Sequence, residues 1–174
     1  MDNYLVMKKS GEIEKLSKSL GFERTYFINE DFVILSNLSQ KELLKQASKA
    51  KQKKLKVFYR PESEEMVRFA LEKTTIDAIF GAELINPKDS VHFLRGGLDQ
   101  VPCKIASEKE KIVGFSFHEL MEAQNKGKLL GRMKFNVSLC RKYKVKMLFL
   151  TLFEKSEELR SAKDLQLFLR LLGI

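Results

Sequence analysis

The chain has 174 residues and a formal net charge of +9, and 44% of its residues are hydrophobic. This apolar content excludes a disordered tail, and the length suits one domain, which we expect to span residues 1–174. No apolar run approaches the roughly 20 residues that cross a bilayer, and the N-terminal segment lacks the features of a signal peptide. We therefore expect a cytoplasmic protein, whose positive charge favours nucleic acid or an anionic membrane surface as partner.

Strand-like apolar runs alternate with amphipathic helical runs along the chain. In chain order the pattern first predicts a strand at 4–7, a helix at 11–21, a strand at 32–35 and a helix from the N-cap Ser39 to Lys53. It continues with a strand at 55–59, a helix at 64–73 capped by Ser63, a strand at 76–80 closed by Gly81 and a helix at 98–110 with Pro102 in its first turn. The last four predicted elements are a strand at 112–117, a helix at 127–143, a strand at 146–152 and a helix at 164–172. Near-continuous apolar strands between helices are typical of a parallel sheet covered by helices. The pattern predicts an α/β fold with mostly parallel strands, either a small TIM-like (β/α) barrel, trimmed or distorted, or a doubly wound open sheet.

Cysteine and histidine are scarce in this sequence. Cys103 and Cys140 form no CxxC pair, and the two histidines are His92 and His118. A structural zinc site needs about four well-spaced ligands, so we predict no metal site and two buried free thiols. No nucleophile and base follow from the spacing either, so we predict no catalytic residue.

Three carboxylates, Asp77, Glu83 and Asp89, fall near one predicted strand end. A barrel places its catalytic groups at such an end. Lone carboxylates in these positions are more often helix caps or members of ion pairs, and this is the interpretation that we favour.

A glycine pair follows Arg95, at Gly96 and Gly97. It matches neither the dinucleotide fingerprint nor the phosphate loop of nucleotide hydrolases. The structural interpretation is a tight turn that needs a positive φ before a helix. The functional interpretation is a helix N-terminus whose amides, together with the arginine, bind a phosphate.

A block of basic residues without any Asp or Glu runs from 126 to 146: Lys126, Lys128, Arg132, Lys134, Arg141, Lys142, Lys144 and Lys146. On an ideal helix, Lys128, Arg132 and Lys142 lie opposite an apolar stripe. A solvated helix face is one interpretation, but a salt-bridged surface would interleave Glu with Lys, so the missing acid favours a polyanion-binding face. Phe135 and Tyr143 could stack on bases or pack under a neighbouring helix, and packing is favoured.

Four segments in the second half of the chain together resemble one known family. They are VHFLRGGLDQVPCKIA at 91–106, GFSF at 114–117, NVSLCRKY at 136–143 and RSAKDL at 160–165. In this order they resemble segments of protein component 3 of archaeal and eukaryotic ribonuclease P, the thirty-kilodalton-type subunit. The resemblance covers about residues 76–174, and the first half matches by its strand–helix rhythm. The chain departs from the family at Gly96, where Ser is common, and at Asp99-Gln100, where Asn-His is common.

The resemblance implies a (β/α) barrel-like, RNA-binding subunit of ribonuclease P, the ribonucleoprotein endonuclease that removes 5′ leaders from precursor tRNA. It implies that the RNA is catalytic and requires Mg²⁺, that the protein itself binds no cofactor, and that it supports the catalytic domain of the RNA. The implied partners are the ribonuclease P RNA, precursor tRNA and a small ferredoxin-like protein subunit, component 2, which can assemble with it into a heterotetramer; no membrane is implied. By position, candidate contacts to RNA or to a partner are Arg95, Lys104, Arg141, Lys142, Arg160 and Lys163, and charge alone adds Lys128, Arg132 and Lys134.

Two other functions stay open. A metal-dependent barrel phosphoesterase would need clustered His and Asp at strand ends, and two histidines are few for it. A protein scaffold whose charge serves solubility would not bind RNA through residues 126–146.

Overall fold

A computed structural model describes residues 1–86, 88–92 and 94–174 of the chain. The described part has seven β-strands: β1 (Asp2–Leu5), β2 (Arg24–Phe27), β3 (Phe32–Ser36), β4 (Lys56–Arg60), β5 (Ala78–Phe80), β6 (Ile112–Ser116) and β7 (Lys146–Leu150). Seven α-helices lie in the same part: α1 (Gly11–Ser19), α2 (Gln40–Gln52), α3 (Glu64–Lys73), α4 (Gln100–Glu108), α5 (Phe117–Glu122), α6 (Lys126–Lys142) and α7 (Ala162–Leu172).

All the described strand pairs are parallel, and the strands pair in chain order. β1 pairs with β2, and β3 to β7 form a second sheet in sequence. This sequential order is that of a (β/α) barrel, since a doubly wound sheet reverses its strand order at a switch point. The predicted α/β, TIM-like arrangement with parallel strands is therefore confirmed.

The barrel is not closed as one sheet within the described residues. Single bridges, Leu5 with Phe153 and Ile28 with Phe32, join the edges of the two sheets. The Val6 N–H donates to the Phe153 carbonyl at 2.9 Å, and Asn29 N–H donates to the Phe32 carbonyl at 2.7 Å. The distortion that we expected lies at these two junctions, where isolated bridges replace continuous ladders.

The core has two layers, because successive strand residues point to opposite faces of the sheet. Phe58 belongs to an inner cluster with Tyr4 and Phe32, and its ring centroid lies 5.5 Å from that of Tyr4 and 5.3 Å from that of Phe32. Its neighbours Val57 and Tyr59 belong to the outer cluster, between strands and helices. Burial on both faces explains why the strands read as continuous apolar runs.

Local capping sets the helix starts. The Ser39 hydroxyl accepts from the Glu42 N–H while the Glu42 carboxylate accepts from the Ser39 N–H, which is a complete capping box. Ser63 caps α3. Pro102 lies in the first turn of α4, where its missing N–H leaves no bond unmade. The predicted N-caps and helix α4 are confirmed.

Two elements were missed, and one placement was wrong. The sequence pattern did not predict β2 or the short helix α5. Asp77 precedes β5, whereas Glu83 and Asp89 follow it, so the three carboxylates do not share one strand end. Asp77 instead forms an ion pair with Lys51 Nζ at 2.6 Å and accepts from the Val57 N–H at 2.6 Å.

Cys103 on α4 and Cys140 on α6 are buried free thiols, as predicted. They neighbour each other: their mutual hydrogen bond, followed by burial, raises the pKa of Cys140. Such a thiol is a poor nucleophile. Across the ranges that the structure describes, no helix combines the length and the apolar character that crossing a membrane requires.

Candidate nucleic-acid interface

Helix α6 presents a basic face to solvent, which we define as Lys134, Arg141 and Lys142. All three are exposed, and no acidic residue occurs between positions 126 and 146 to neutralise them. The opposite side of the helix is buried against the outer core. Lys142 Nζ lies 5.6 Å from the centroid of the neighbouring Tyr143 ring, which leaves its charge at the surface. Lys134, Arg141 and Lys142 therefore form an exposed basic face, and its binding to a polyanion stays a prediction.

Arg132 is the exception, and its predicted place on the polar side of α6 is wrong. Only 4% of it is exposed. Its Nε donates to Asp89 Oδ1 at 2.8 Å, and its Nη1 donates to the Glu83 carbonyl at 2.9 Å and the Asn86 carbonyl at 2.5 Å. The loop after β5 folds over α6 and encloses the guanidinium, so Arg132 anchors that loop and is not accessible to a phosphate.

Asp89 completes this anchor. Its Oδ1 also accepts from the backbone N–H of Arg95 at 2.9 Å, and its Oδ2 lies 3.6 Å from Lys128 Nζ. The hydrogen bond from Arg95, then the one from Arg132, lowers the pKa of Asp89. Lys128 is thus held in an ion pair beside the loop, and the ion-pair interpretation of Asp89 is supported.

A second buried anchor joins α6 to the glycine pair. Asn136 is fully buried, and its Nδ2 donates to the Gly96 carbonyl at 2.7 Å. A side chain on Gly96 would collide with the Asn136 carboxamide, and one on Gly97 would collide with the Ala82 carbonyl. Gly97 also has a φ of +74°. The tight turn that we predicted from the glycines is confirmed.

Glu83 lies behind this turn with 1% of its surface exposed. Neither of its carboxylate oxygens, nor Asn136 Oδ1, has a hydrogen-bond donor among the described residues. Burial raises the pKa of Glu83 from its ordinary value of 4.5 to about 7, and the nearby Glu119 adds to the rise. When its carboxyl group is protonated, Glu83 can donate to the neighbouring Asn136 Oδ1 and so supply a donor to this cluster of acceptors.

The N-terminus of α4 follows the glycine pair, but a carboxylate occupies it. Asp99 caps the helix by accepting from the Val101 N–H at 2.6 Å, and its other oxygen lies 3.5 Å from the Arg68 guanidinium. A phosphate at this helix end would meet that negative charge. The structure therefore gives no support to a phosphate site at the glycine pair.

A groove of about 840 Å³ opens beside the glycine turn, which we call the glycine-loop groove. Its lining combines the apolar side chains of Leu94, Phe135 and Leu139 with the guanidinium-bearing Arg95. The same lining includes three acidic residues, Glu62, Glu64 and Asp99. Phe135 is 37% exposed, so the expectation that it packs under a neighbouring helix is only partly met.

The remaining predicted contacts are spread over three elements. Lys104 is exposed on α4, and Lys163 is exposed in the first turn of α7. Arg160 is also exposed, but its Nη1 donates to the carbonyls of Glu157, Glu158 and Leu159 at 3.1–3.2 Å and holds that turn together. The Arg141 guanidinium packs against Gly173 at the end of α7. Lys163 thus lies at the start of α7 and Arg141 packs against its end, and the two ends are about 15 Å apart along the helix axis.

Of the anchor residues, Asn136 was not identified from the sequence, whereas Arg132 was predicted as an RNA contact and Asp89 as a helix cap or ion-pair partner. An asparagine inside the buried stripe of α6 is the one signal that could have shown Asn136, because a buried amide needs partners from another element. In residues 1–86, 88–92 and 94–174, no three His, Cys, Asp or Glu side chains come together as metal ligands could. His118 Nδ1 lies 3.5 Å from Glu158 Oε2, and among the described residues no nucleophilic side chain contacts this histidine.

No protein-family model matches this chain, and no curated protein matches it in sequence. Its fold is similar to that of a chain in the cryo-EM structure of archaeal ribonuclease P with mature tRNA, with a TM-score of 0.74 and 19% identity. That match covers 98% of this chain and 73% of the other. The fold is also similar to the crystal structure of an uncharacterised protein, with a TM-score of 0.58 and 10% identity; the match covers 98% of this chain and 51% of that one. At these identities the likeness shows the fold.

Proposed function

We propose that this chain is an RNA-binding protein subunit of ribonuclease P and belongs to the component 3 type. The observation that carries the proposal is the fold that nearly the whole chain shares with a chain of archaeal ribonuclease P. Four ordered segments of the sequence resemble component 3 independently of that fold. In this role the protein supports the catalytic RNA in removing 5′ leaders from precursor tRNA, and the Mg²⁺ belongs to the RNA.

The basic face of α6 supplies the physical means. Its three cations are exposed, and the helix bears no carboxylate that would compete for them. Lysine and arginine that neutralise phosphates release condensed counterions, which gives affinity with little sequence preference. The buried anchors through Arg132 and Asn136 fix the neighbouring loop against α6, so the loop residue Arg95 is held beside this helix, and Lys128 of α6 pairs with Asp89 of the loop.

In the same proposal the protein partner is the small ferredoxin-like subunit, component 2, and the two kinds of subunit assemble into a heterotetramer. Lys104, Arg160 and Lys163 lie outside α6, on α4 and around the start of α7. We assign them to RNA or to this partner without dividing them further. A metal-dependent phosphoesterase has no observation in its favour, because the described residues bring no ligand set together.

The test is binding of the full chain to ribonuclease P RNA over a range of salt concentrations. Replacing Arg141 and Lys142 by Gln removes two phosphate contacts, so the slope of log K against log salt falls by about 1.4–1.8. The matched control is the same change at Lys41 and Lys45, two exposed lysines on α2. Equal slopes for both double variants, or no binding by the wild-type chain, would overturn the proposal and favour a scaffold.

A further inference from the structure

The glycine-loop groove has a charge opposite to that of the basic face beside it. Three carboxylates line it against the single guanidinium of Arg95. Glu64 accepts from Asn86 Nδ2 at 2.9 Å, and Asp99 is held by Arg68 and by its own helix. Glu62 is exposed to solvent at the groove. A phosphate would be repelled from this interior, and a group with N–H donors would be attracted.

Helix α6 contributes to both surfaces. Phe135 and Leu139 line the groove, while Lys134 precedes Phe135 and belongs to the basic face. Lys142 lies two turns after Phe135, on the same side of the helix. A polynucleotide whose phosphates lie along the basic face therefore has its sugars and bases next to the groove edge.

The apolar lining residues of the groove suit a flat, π-faced ligand. Phe135 is 37% exposed and Leu94 is 44% exposed, which leaves apolar surface uncovered within the chain. Stacking of a base on an aromatic side chain needs a free base face, and the carboxylates need a free base edge. A base inside a duplex offers no free face, and its Watson–Crick edge is already paired.

Resting on the proposed function, we infer that the glycine-loop groove binds an unpaired nucleobase of the RNA, stacked on Phe135 with its amino group toward Glu62. Adenine, cytosine and guanine carry exocyclic amino donors and uracil does not. The groove therefore discriminates against uracil and against paired bases. The phosphate contacts of α6 do not distinguish one base from another.

The experiment measures the affinity of the full chain for an oligoadenylate, an oligouridylate of equal length and the duplex of the two. The wild type binds the oligoadenylate most tightly. Phe135→Leu removes the stacking of one base and therefore weakens binding of the oligoadenylate by about 5- to 150-fold. Binding of the duplex is unchanged. Phe135→Tyr retains oligoadenylate binding, which separates stacking from a folding defect. Glu62→Ala removes the preference for adenine over uracil.

The control is Leu44→Ala on α2, whose side chain is 40% exposed and lies outside the groove. If all three RNAs bind equally in a salt-dependent way and Phe135→Leu changes nothing, the groove inference fails while the RNA-binding proposal stands. If no RNA binds at all, the proposed function itself fails. If Phe135→Leu weakens binding of the small protein subunit and not of RNA, the groove is a protein interface and the inference is overturned.

Discussion

Replacing Glu83 by Gln makes the stability of the protein less dependent on pH. Burial raises the pKa of Glu83 from 4.5 to about 7. Below pH 4.5 Glu83 is protonated in both the folded and the unfolded states, and its titration does not reduce the unfolding free energy. Between pH 4.5 and about 7 only the folded state keeps the proton on Glu83, so the unfolding free energy falls as pH rises. Above about pH 7 this decrease is complete. The shift corresponds to about 3 kcal/mol of unfolding free energy.

Gln is uncharged at every pH and has a similar shape, and its amide can donate to Asn136 Oδ1. The stability of Glu83→Gln relative to wild type therefore rises by about 3 kcal/mol between about pH 4.5 and 8. Urea denaturation of both proteins at several pH values measures this difference, in which the titration of groups that do not interact with Glu83 cancels. The exposed Glu62→Gln serves as control and runs parallel to wild type. A constant difference between Glu83→Gln and wild type across this range would refute the reasoning.

Two further predictions concern the anchors of the glycine turn. Arg132→Met removes the buried ion pair with Asp89 and the guanidinium donor to two carbonyls, so we expect a loss of about 3 kcal/mol in urea denaturation, against less than about 0.5 kcal/mol for the exposed Lys134→Met. Equal losses would show that Arg132 is not an anchor. Gly97→Ala meets a positive φ and a backbone collision and should cost about 2–5 kcal/mol, whereas Gly131→Ala has open space on α6 and should add about 0.5–1 kcal/mol. A neutral Gly97→Ala in thermal melts would contradict the geometry of the turn.

Local signals were sufficient for most of the elements. Hydroxyl caps at Ser39 and Ser63, and apolar periods on either side of them, predicted α2 and α3 close to their observed limits. The sequence pattern did not predict β2, because Arg24–Phe27 is short and partly exposed and its pairing with β1 is nonlocal. The alternation of strands and helices predicted parallel strands but left a barrel and a doubly wound sheet open, and only the family resemblance implied the barrel. The weak junctions at Leu5 and Ile28 depend on pairing geometry that periodicity does not encode.

The site was predictable only where it depends on composition. The missing acid in 126–146 indicated the exposed charges of α6. The burial of Arg132 and Glu83 was not foreseeable, because it results from the loop after β5 folding back over α6. A helical projection shows which side of one helix is apolar and does not show which distant segment covers its polar side.

The most direct test of the central claim is cleavage of precursor tRNA by the ribonuclease P RNA and its small protein subunit, with and without this chain, over a range of Mg²⁺ concentrations. The account predicts that the chain lowers the Mg²⁺ requirement or raises the cleavage rate, because its cations share the neutralisation of RNA phosphates. It also predicts no cleavage by the isolated chain. A chain that leaves the RNA enzyme unchanged, or that cleaves alone in a chelator-sensitive way, would contradict the account.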